Sequence, residues 1–338
     1  MKTVHGRGPR CAEQEVKGRA LAIDRRRFVE ASVLGALAFF FEPSTFATDK
    51  PQKFKIGMAA TTWLSADPSL ATYWSATEAI SQLNIGATEA DNSKAEFEVA
   101  YANNASAFRE RSSKTGVRLI GVYQALVLHD AQKLPEMRAK IHSLARFLKA
   151  AGAEYIAMGW DIPDTGGKPY QRTAEDVGRT VRAMDELGRI SWEEHGIFAA
   201  FHAERDIPKE MIIRILDETN PKYMRLCADV GHLTAVGLDA VQTVKSYASR
   251  LAASHWKDFD PKLPAPNYLG TGATGDFVEL GKGIVDFRAL ADFYRNIGFD
   301  GWVQLELDQT REPSIAASAR EMKAFVTDQL KLRMYPSR

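Results

Sequence analysis

The chain has 338 residues, 45% of them hydrophobic and 26% charged, which is an ordinary globular composition and excludes collagen-like and disordered classes. Its 44 Lys+Arg against 43 Asp+Glu give a formal net charge of +1, so no global basic field argues for a nucleic-acid partner. Only two cysteines occur, Cys11 and Cys227, which excludes a disulfide scaffold.

In chain order, the first element is a leader over residues 1–47. Asp24-Arg25-Arg26-Arg27-Phe28-Val29 precedes an apolar run of 11 residues, Ala31 to Phe41. A spanning helix needs about 20 residues, so the run fits the hydrophobic region of a secretory signal better than an anchor. Paired arginines before apolar residues resemble the twin-arginine export signal, and Thr45-Phe46-Ala47 offers small residues for cleavage. The expectation is a periplasmic or otherwise exported protein with no stable membrane anchor once processed. The leader holds eight Lys+Arg and five Asp+Glu, which leaves 36 basic against 38 acidic residues, net −2, over residues 48–338.

From Lys53 onward, short apolar runs alternate with longer amphipathic stretches. Strands are expected near Lys55–Ala59, Ile85–Glu89, Arg118–Val122, Tyr155–Met158, Ile197–His202, Arg225–Asp229, Ala252–Trp256 and Trp302–Glu306. Helical spacing is clearest over Leu134–Ala150, Ala174–Glu194 and Phe287–Asn296. Gly116, Gly152, Gly196 and Gly298 fall where helices should stop. Eight β–α units predict an α/β fold, a single-domain (β/α)₈ TIM barrel. A formal GxGxxG, Gly270 to Gly275, follows a proline-bearing stretch (Pro261, Pro264, Pro266) and opens no helix, so it reads as loop and not as a dinucleotide site.

Barrel chemistry sits at the C-terminal ends of the strands. Four of these ends carry His202, Asp229, His255 and Glu306. Two imidazoles and two carboxylates on one axis suit one divalent metal, with Mn2+ or Co2+ favoured and Zn2+, Fe2+ or Mg2+ admitted. Lys257 shares its inward face with His255. Glu89, Asn92, Trp63, Trp160 and Asp308 fall near strand ends as candidate substrate contacts. Cys227, just before Asp229, reads as a core residue.

These segments resemble the xylose-isomerase-like TIM-barrel superfamily, the sugar phosphate isomerase/epimerase group, from Lys55 to Asp308. The elements that carry the resemblance are Cys227-Ala228-Asp229-Val230-Gly231-His232, His255-Trp256-Lys257-Asp258, Gly281 to Phe287, and Gly301-Trp302 leading to Glu306. Its inosose-dehydratase branch is the nearest pattern. The resemblance implies Asp229, His255 and Glu306 as metal ligands and His232 as a substrate-contacting histidine. The family's epimerases carry a glutamate on the fifth strand, paired with the one on the eighth; here the fifth strand offers His202, as in the dehydratase branch.

A metal on a hydroxy-ketone polarises the carbonyl and eases loss of a neighbouring proton. A base, Glu306 or Glu204, and an acid, His232 or Lys257, would complete the reaction. The expected protein is thus a metal-dependent enzyme acting on a small-molecule keto-sugar or keto-cyclitol, leaning to a lyase or dehydratase outcome over an isomerase or epimerase. A sugar-binding protein without turnover is the non-enzymatic alternative. An endonuclease on the same fold is disfavoured by the net charge of −2 and by the lack of extra histidines on the early strands. The oligomeric state is left open.

Overall fold

A computed structural model describes residues 50–162, 170–266 and 274–337. The expected leader and positions 270–273 of the glycine-rich stretch lie outside the described residues. The described residues form ten strands: β1 Lys55–Met58, β2 Ala87–Asp91, β3 Arg118–Leu126, β4 Tyr155–Trp160, β5 Phe198–His202, β6 Met224–Asp229, β7 Leu251–Trp256, β8 Asp258–Pro264, β9 Thr274–Val278 and β10 Trp302–Leu305. Eight of them form one parallel sheet in the order β1-β10-β7-β6-β5-β4-β3-β2. The ends of the sheet approach each other where the Ala60 N–H donates to the Glu89 carbonyl at 2.8 Å. The result is a nearly closed barrel with helices between successive strands, as the alternation predicts.

Two faces of each strand explain the sequence pattern. Outward residues such as Ile56, Met58, Val122, Ile156, Leu226 and Val303 pack under the helices in the main apolar cluster. Inward residues are mostly small: Ala87, Ala157, Ala200, Cys227 and Ala253 share a second cluster with the ring of Tyr155. Cys227 is buried there, as expected. Small side chains leave the barrel axis free for Tyr155 to cross it. Gly121 on β3 is required by that crossing, because a Cβ there would lie 2.5 Å from the Tyr155 ring.

The helices follow their amphipathic spacing. Leu134–Ala151 buries Met137, Ile141, Leu144, Ala145 and Leu148, one face at intervals of three and four. Ala174–Arg189 opens on a capping box between Thr173 and Asp176 and runs into a π-helical turn, Ile190–Glu194. The four glycines expected to stop helices all take positive φ, from 68° to 82°.

One element departs from the sequence reading. The proline-bearing stretch after β7 is not simply loop: β8 and β9 pair as an antiparallel hairpin outside the barrel sheet. A two-stranded ribbon has free edges, where a proline's missing N–H goes unneeded. Asp258 ties this region down by accepting from the N–H groups of Phe259, Gly281, Gly283 and Val285, at 2.9 to 3.1 Å.

Candidate metal centre

The local structure of β6 shows why aspartate and histidine sit three residues apart. Asp229 is the N-cap of the short helix Val230–Ala235, and its Oδ1 accepts from the His232 N–H at 2.8 Å. Capping occupies one oxygen and orients the other. Among the described residues Oδ2 has no hydrogen-bond partner, although it is buried.

His202, Asp229, His255 and Glu306 each offer one ligand atom within 4.8 Å of the others, and all four are buried. His202 Nε2 lies 3.1 Å from His255 Nδ1 and 3.4 Å from Asp229 Oδ2. Glu306 Oε2 lies 2.5 Å from His255 Nδ1 and also lacks a hydrogen-bond partner. Both oxygens sit in ion-pair range of neighbouring nitrogens without a well-formed hydrogen bond, and two carboxylate oxygens facing two imidazole nitrogens make a donor set for a cation. The residues present therefore fit a divalent metal of the nitrogen-and-oxygen type.

Both imidazoles are backed by a carboxylate. His255 Nε2 lies 3.0 Å from Glu89 Oε2, and the Tyr155 hydroxyl donates to the same oxygen. His202 Nδ1 lies 3.0 Å from Glu204 Oε1. Such partners fix which ring nitrogen faces a metal, here Nδ1 of His255 and Nε2 of His202.

This arrangement corrects the sequence reading of Glu89. It lies buried against His255 Nε2 and is not part of the lining of the neighbouring cavity. Asn92 is corrected likewise. It is buried, its amide donates to Gln124 at 2.8 Å, and its carbonyl accepts from the Phe97 N–H at 3.0 Å, so no donor is aimed at the mouth. Trp160 is buried too, its indole N–H on His129 and its ring under Arg172. Trp63 is half-buried against the main core. Stacking on a sugar by Trp160 is not possible without an exposed face.

Lys257 is the centre of the remaining charges. Its Nζ lies 2.8 Å from Asp308 Oδ1, 3.4 Å from Glu306 Oε1, 3.5 Å from Asp229 Oδ2 and 3.1 Å from His232 Nε2. Burial alone would lower its pKa, but Asp229, Asp308 and Glu306 outweigh it and hold the ammonium well above its ordinary value. Burial works against the Asp229 and Glu306 carboxylates as well; Lys257 and the histidines reverse that and hold both below the usual range. Glu204 behaves the same way, brought down to about 2 by His232, His202 and Lys257 against its burial. His232 goes the other way: burial dominates and lowers it, so it is neutral. Its Nδ1 accepts from the Arg205 N–H at 2.8 Å, which places the ring proton on Nε2, where Glu204 Oε2 at 3.3 Å is the acceptor within reach.

A cavity of about 540 Å³ adjoins this cluster, lined by Thr62, Arg205, Asp276, Phe277, Asp308 and Gln309 among others. That volume is in the range of small-molecule sites. Arg205 is paired with Asp276 at 3.0 Å and lies over the Phe277 ring.

The sequence-predicted ligands thus converge, and Lys257, His232, Glu204 and Asp308 surround them. Sequence reasoning missed Tyr155 and the positioning role of Glu89. The available signal was Gly121 facing a large inward tyrosine on the next strand.

Comparison with known proteins agrees with this architecture. Residues 78–326 match the family model described as xylose isomerase-like TIM barrel, and the chain belongs to that family. It is 22% identical over 287 residues to an inosose dehydratase of Geobacillus kaustophilus, covering 78% of this chain and 89% of the relative. Among solved structures, the D-allulose 3-epimerase from Methylomonas sp. superposes with a TM-score of 0.62 at 15% identity, covering 84% of this chain and 100% of that one. The IOLI protein with a binding zinc atom gives a TM-score of 0.62 at 16% identity, covering 82% and 98%.

The orienting role of Glu89 has a direct test. Glu89→Gln keeps the shape but removes the charge behind His255, and should weaken metal affinity about 10–100-fold. Competition with a chromophoric chelator measures this; unchanged affinity would mean Glu89 is packing only.

Proposed function

We propose that this chain is a metal-dependent enzyme that removes the proton next to a ketone in a sugar or cyclitol and expels the β-oxygen substituent, a lyase or dehydratase reaction. The observation that carries the reading is the convergence of four buried donor atoms within 4.8 Å, with Asp229 Oδ2 and Glu306 Oε2, neither in a well-formed hydrogen bond, facing His202 Nε2 and His255 Nδ1. When bound, a divalent ion such as Mn2+ or Co2+ supplies a Lewis acid that polarises a carbonyl.

This chain's own groups supply the rest. Glu306 keeps Oε1 free of the ligand cluster and takes the carbon-bound proton. Lys257, protonated and 3.4 Å from that oxygen, returns a proton to the departing one. Neutral His232 donates its Nε2 hydrogen bond to a substrate oxygen. Asp308 holds Lys257 in place at the edge of the cavity. The names of the relatives and structural neighbours, an inosose dehydratase and a sugar epimerase among them, support this substrate class.

The test is proton exchange in deuterated buffer. With Mn2+ or Co2+, a keto-cyclitol such as 2-keto-myo-inositol should exchange the hydrogen next to its carbonyl. Absence of exchange from every keto-sugar and keto-cyclitol tried, with metal bound, would favour a sugar-binding protein instead.

Export through a twin-arginine route belongs to the same proposal, on the strength of Arg25-Arg26 and the apolar run after them. Replacing both arginines by lysine should hold the precursor in the cytoplasm. Normal secretion of that variant would remove the proposed route.

A further inference from the structure

A second group of metal-type donors lies on the outside of the barrel. His142 sits on the helix Leu134–Ala151; Glu194 and His195 end the π-helical turn and the short link that lead into β5. His142 Nδ1 is 3.1 Å from His195 Nε2 and 3.6 Å from Glu194 Oε2. Ligands at about 2.0–2.1 Å from a tetrahedral zinc ion stand roughly 3.3–3.4 Å apart, so both separations bracket the edge of such a site. Two ring nitrogens in contact can share only one proton between them, and a cation satisfies both lone pairs at once.

The backbone explains how the donors meet. A π-helical turn widens the end of the preceding helix, and insertions of that kind are frequent at functional sites. Gly196, at φ +70°, then turns the chain sharply into β5. Glu194 and His195 also line a groove of about 580 Å³, with Arg146 and Lys149 on its helix side. The groove leaves room for a fourth ligand, a water or a small anion. Glu279, Glu312 and Glu321 differ in that the Lys282 ammonium already lies within 3.7 Å of each of their carboxylates. No Lys or Arg forms an ion pair with Glu194 among the described residues.

We propose that His142, Glu194 and His195 form a second, peripheral site for a zinc-type transition-metal ion. It clamps the helix Leu134–Ala151 to the segment entering β5, at the face of the barrel opposite the strand ends. The site stabilises the fold through mass action and takes no part in the chemistry. It is independent of the barrel-centre reading.

The test counts ions on the full chain. Metal-free protein is dialysed to equilibrium against micromolar Zn2+ and the bound metal measured by elemental analysis. Two zinc ions per chain are expected for the wild type, and one each for His142→Ala, His195→Ala and Asp229→Ala. The double variant Asp229→Ala/His142→Ala should bind none. In the Asp229→Ala background, zinc should raise the melting temperature, and adding His195→Ala should abolish the rise. Catalytic turnover should be the same in His142→Ala as in the wild type. A His142→Ala chain that binds as much zinc as the wild type overturns the proposal. A single ion lost with His142→Ala but not with Asp229→Ala would support this site and count against the barrel centre.

Discussion

His255→Ala and Asp229→Ala should each lose most of the metal held at the barrel centre and nearly all turnover, while the barrel still folds. The two residues lie side by side on β6 and β7, and each sits among buried charges that are balanced only as a set. Removing His255 takes away one of two nitrogen donors and leaves Glu89 Oε2 without its 3.0 Å partner. Removing Asp229 takes away an oxygen that faces both histidines and Lys257, and also the cap of the helix that carries His232. The expected activity loss exceeds the 10²–10⁴-fold effect of one positioned acid or base, because the ligand set supports every later step. Loss of a cap adds a destabilisation of about 0.5–2 kcal/mol to Asp229→Ala, so His255→Ala is the cleaner variant. Elemental analysis with circular dichroism separates metal loss from unfolding. Full occupancy of the centre in both variants would show that the ion binds elsewhere.

The second large effect concerns the partition of products. Epimerisation with two bases needs a proton acceptor on each face of the substrate carbon. Where the resemblance implies a fifth-strand glutamate in the family's epimerases, this chain has His202. Its Nε2 faces the other ligands, where a bound ion would take up its lone pair, and its Nδ1 lies 3.0 Å from Glu204 Oε1. An imidazole bound in this way has no lone pair left to accept a proton from carbon. Elimination needs one base and one acid, and Glu306 with Lys257 supplies both. A keto-cyclitol should therefore lose its β-substituent at least 10²-fold faster than it inverts, the lower bound for one missing base. Proton NMR of the product mixture reads the ratio. Restoring the carboxylate in His202→Glu should move the ratio toward inversion. Rapid inversion by the wild type without eliminated product would assign Glu204, the remaining carboxylate at the mouth, as the second base and restore the epimerase reading.

The strand ends were legible in the sequence for a physical reason. A parallel barrel strand is apolar on both faces, so a His, Asp or Glu at its C-terminal end stands out against the run before it. Asp229, His255 and Glu306 could be read that way, and Lys257 followed from alternation with His255. What a strand end does not reveal is the direction of a side chain past the last paired residue. Glu89 looks the same in sequence whether it meets substrate or an imidazole; the crossing of Tyr155 over Gly121 decides it. Asn92 and Trp160 were misplaced because local partners, Gln124 and His129, are distant in sequence. The β8–β9 hairpin was hidden by its prolines, which disqualify a central strand but not a ribbon edge.

The most direct measurement is a crystal structure of the protein grown with Mn2+, with anomalous scattering collected at the manganese edge. One strong peak is expected at the barrel centre, within bonding distance of His202 Nε2, Asp229 Oδ2, His255 Nδ1 and Glu306 Oε2, with Lys257 beside it and not bound to it. A barrel centre with no peak at saturating Mn2+, the four side chains closed on each other or on Lys257, would contradict a metal centre there.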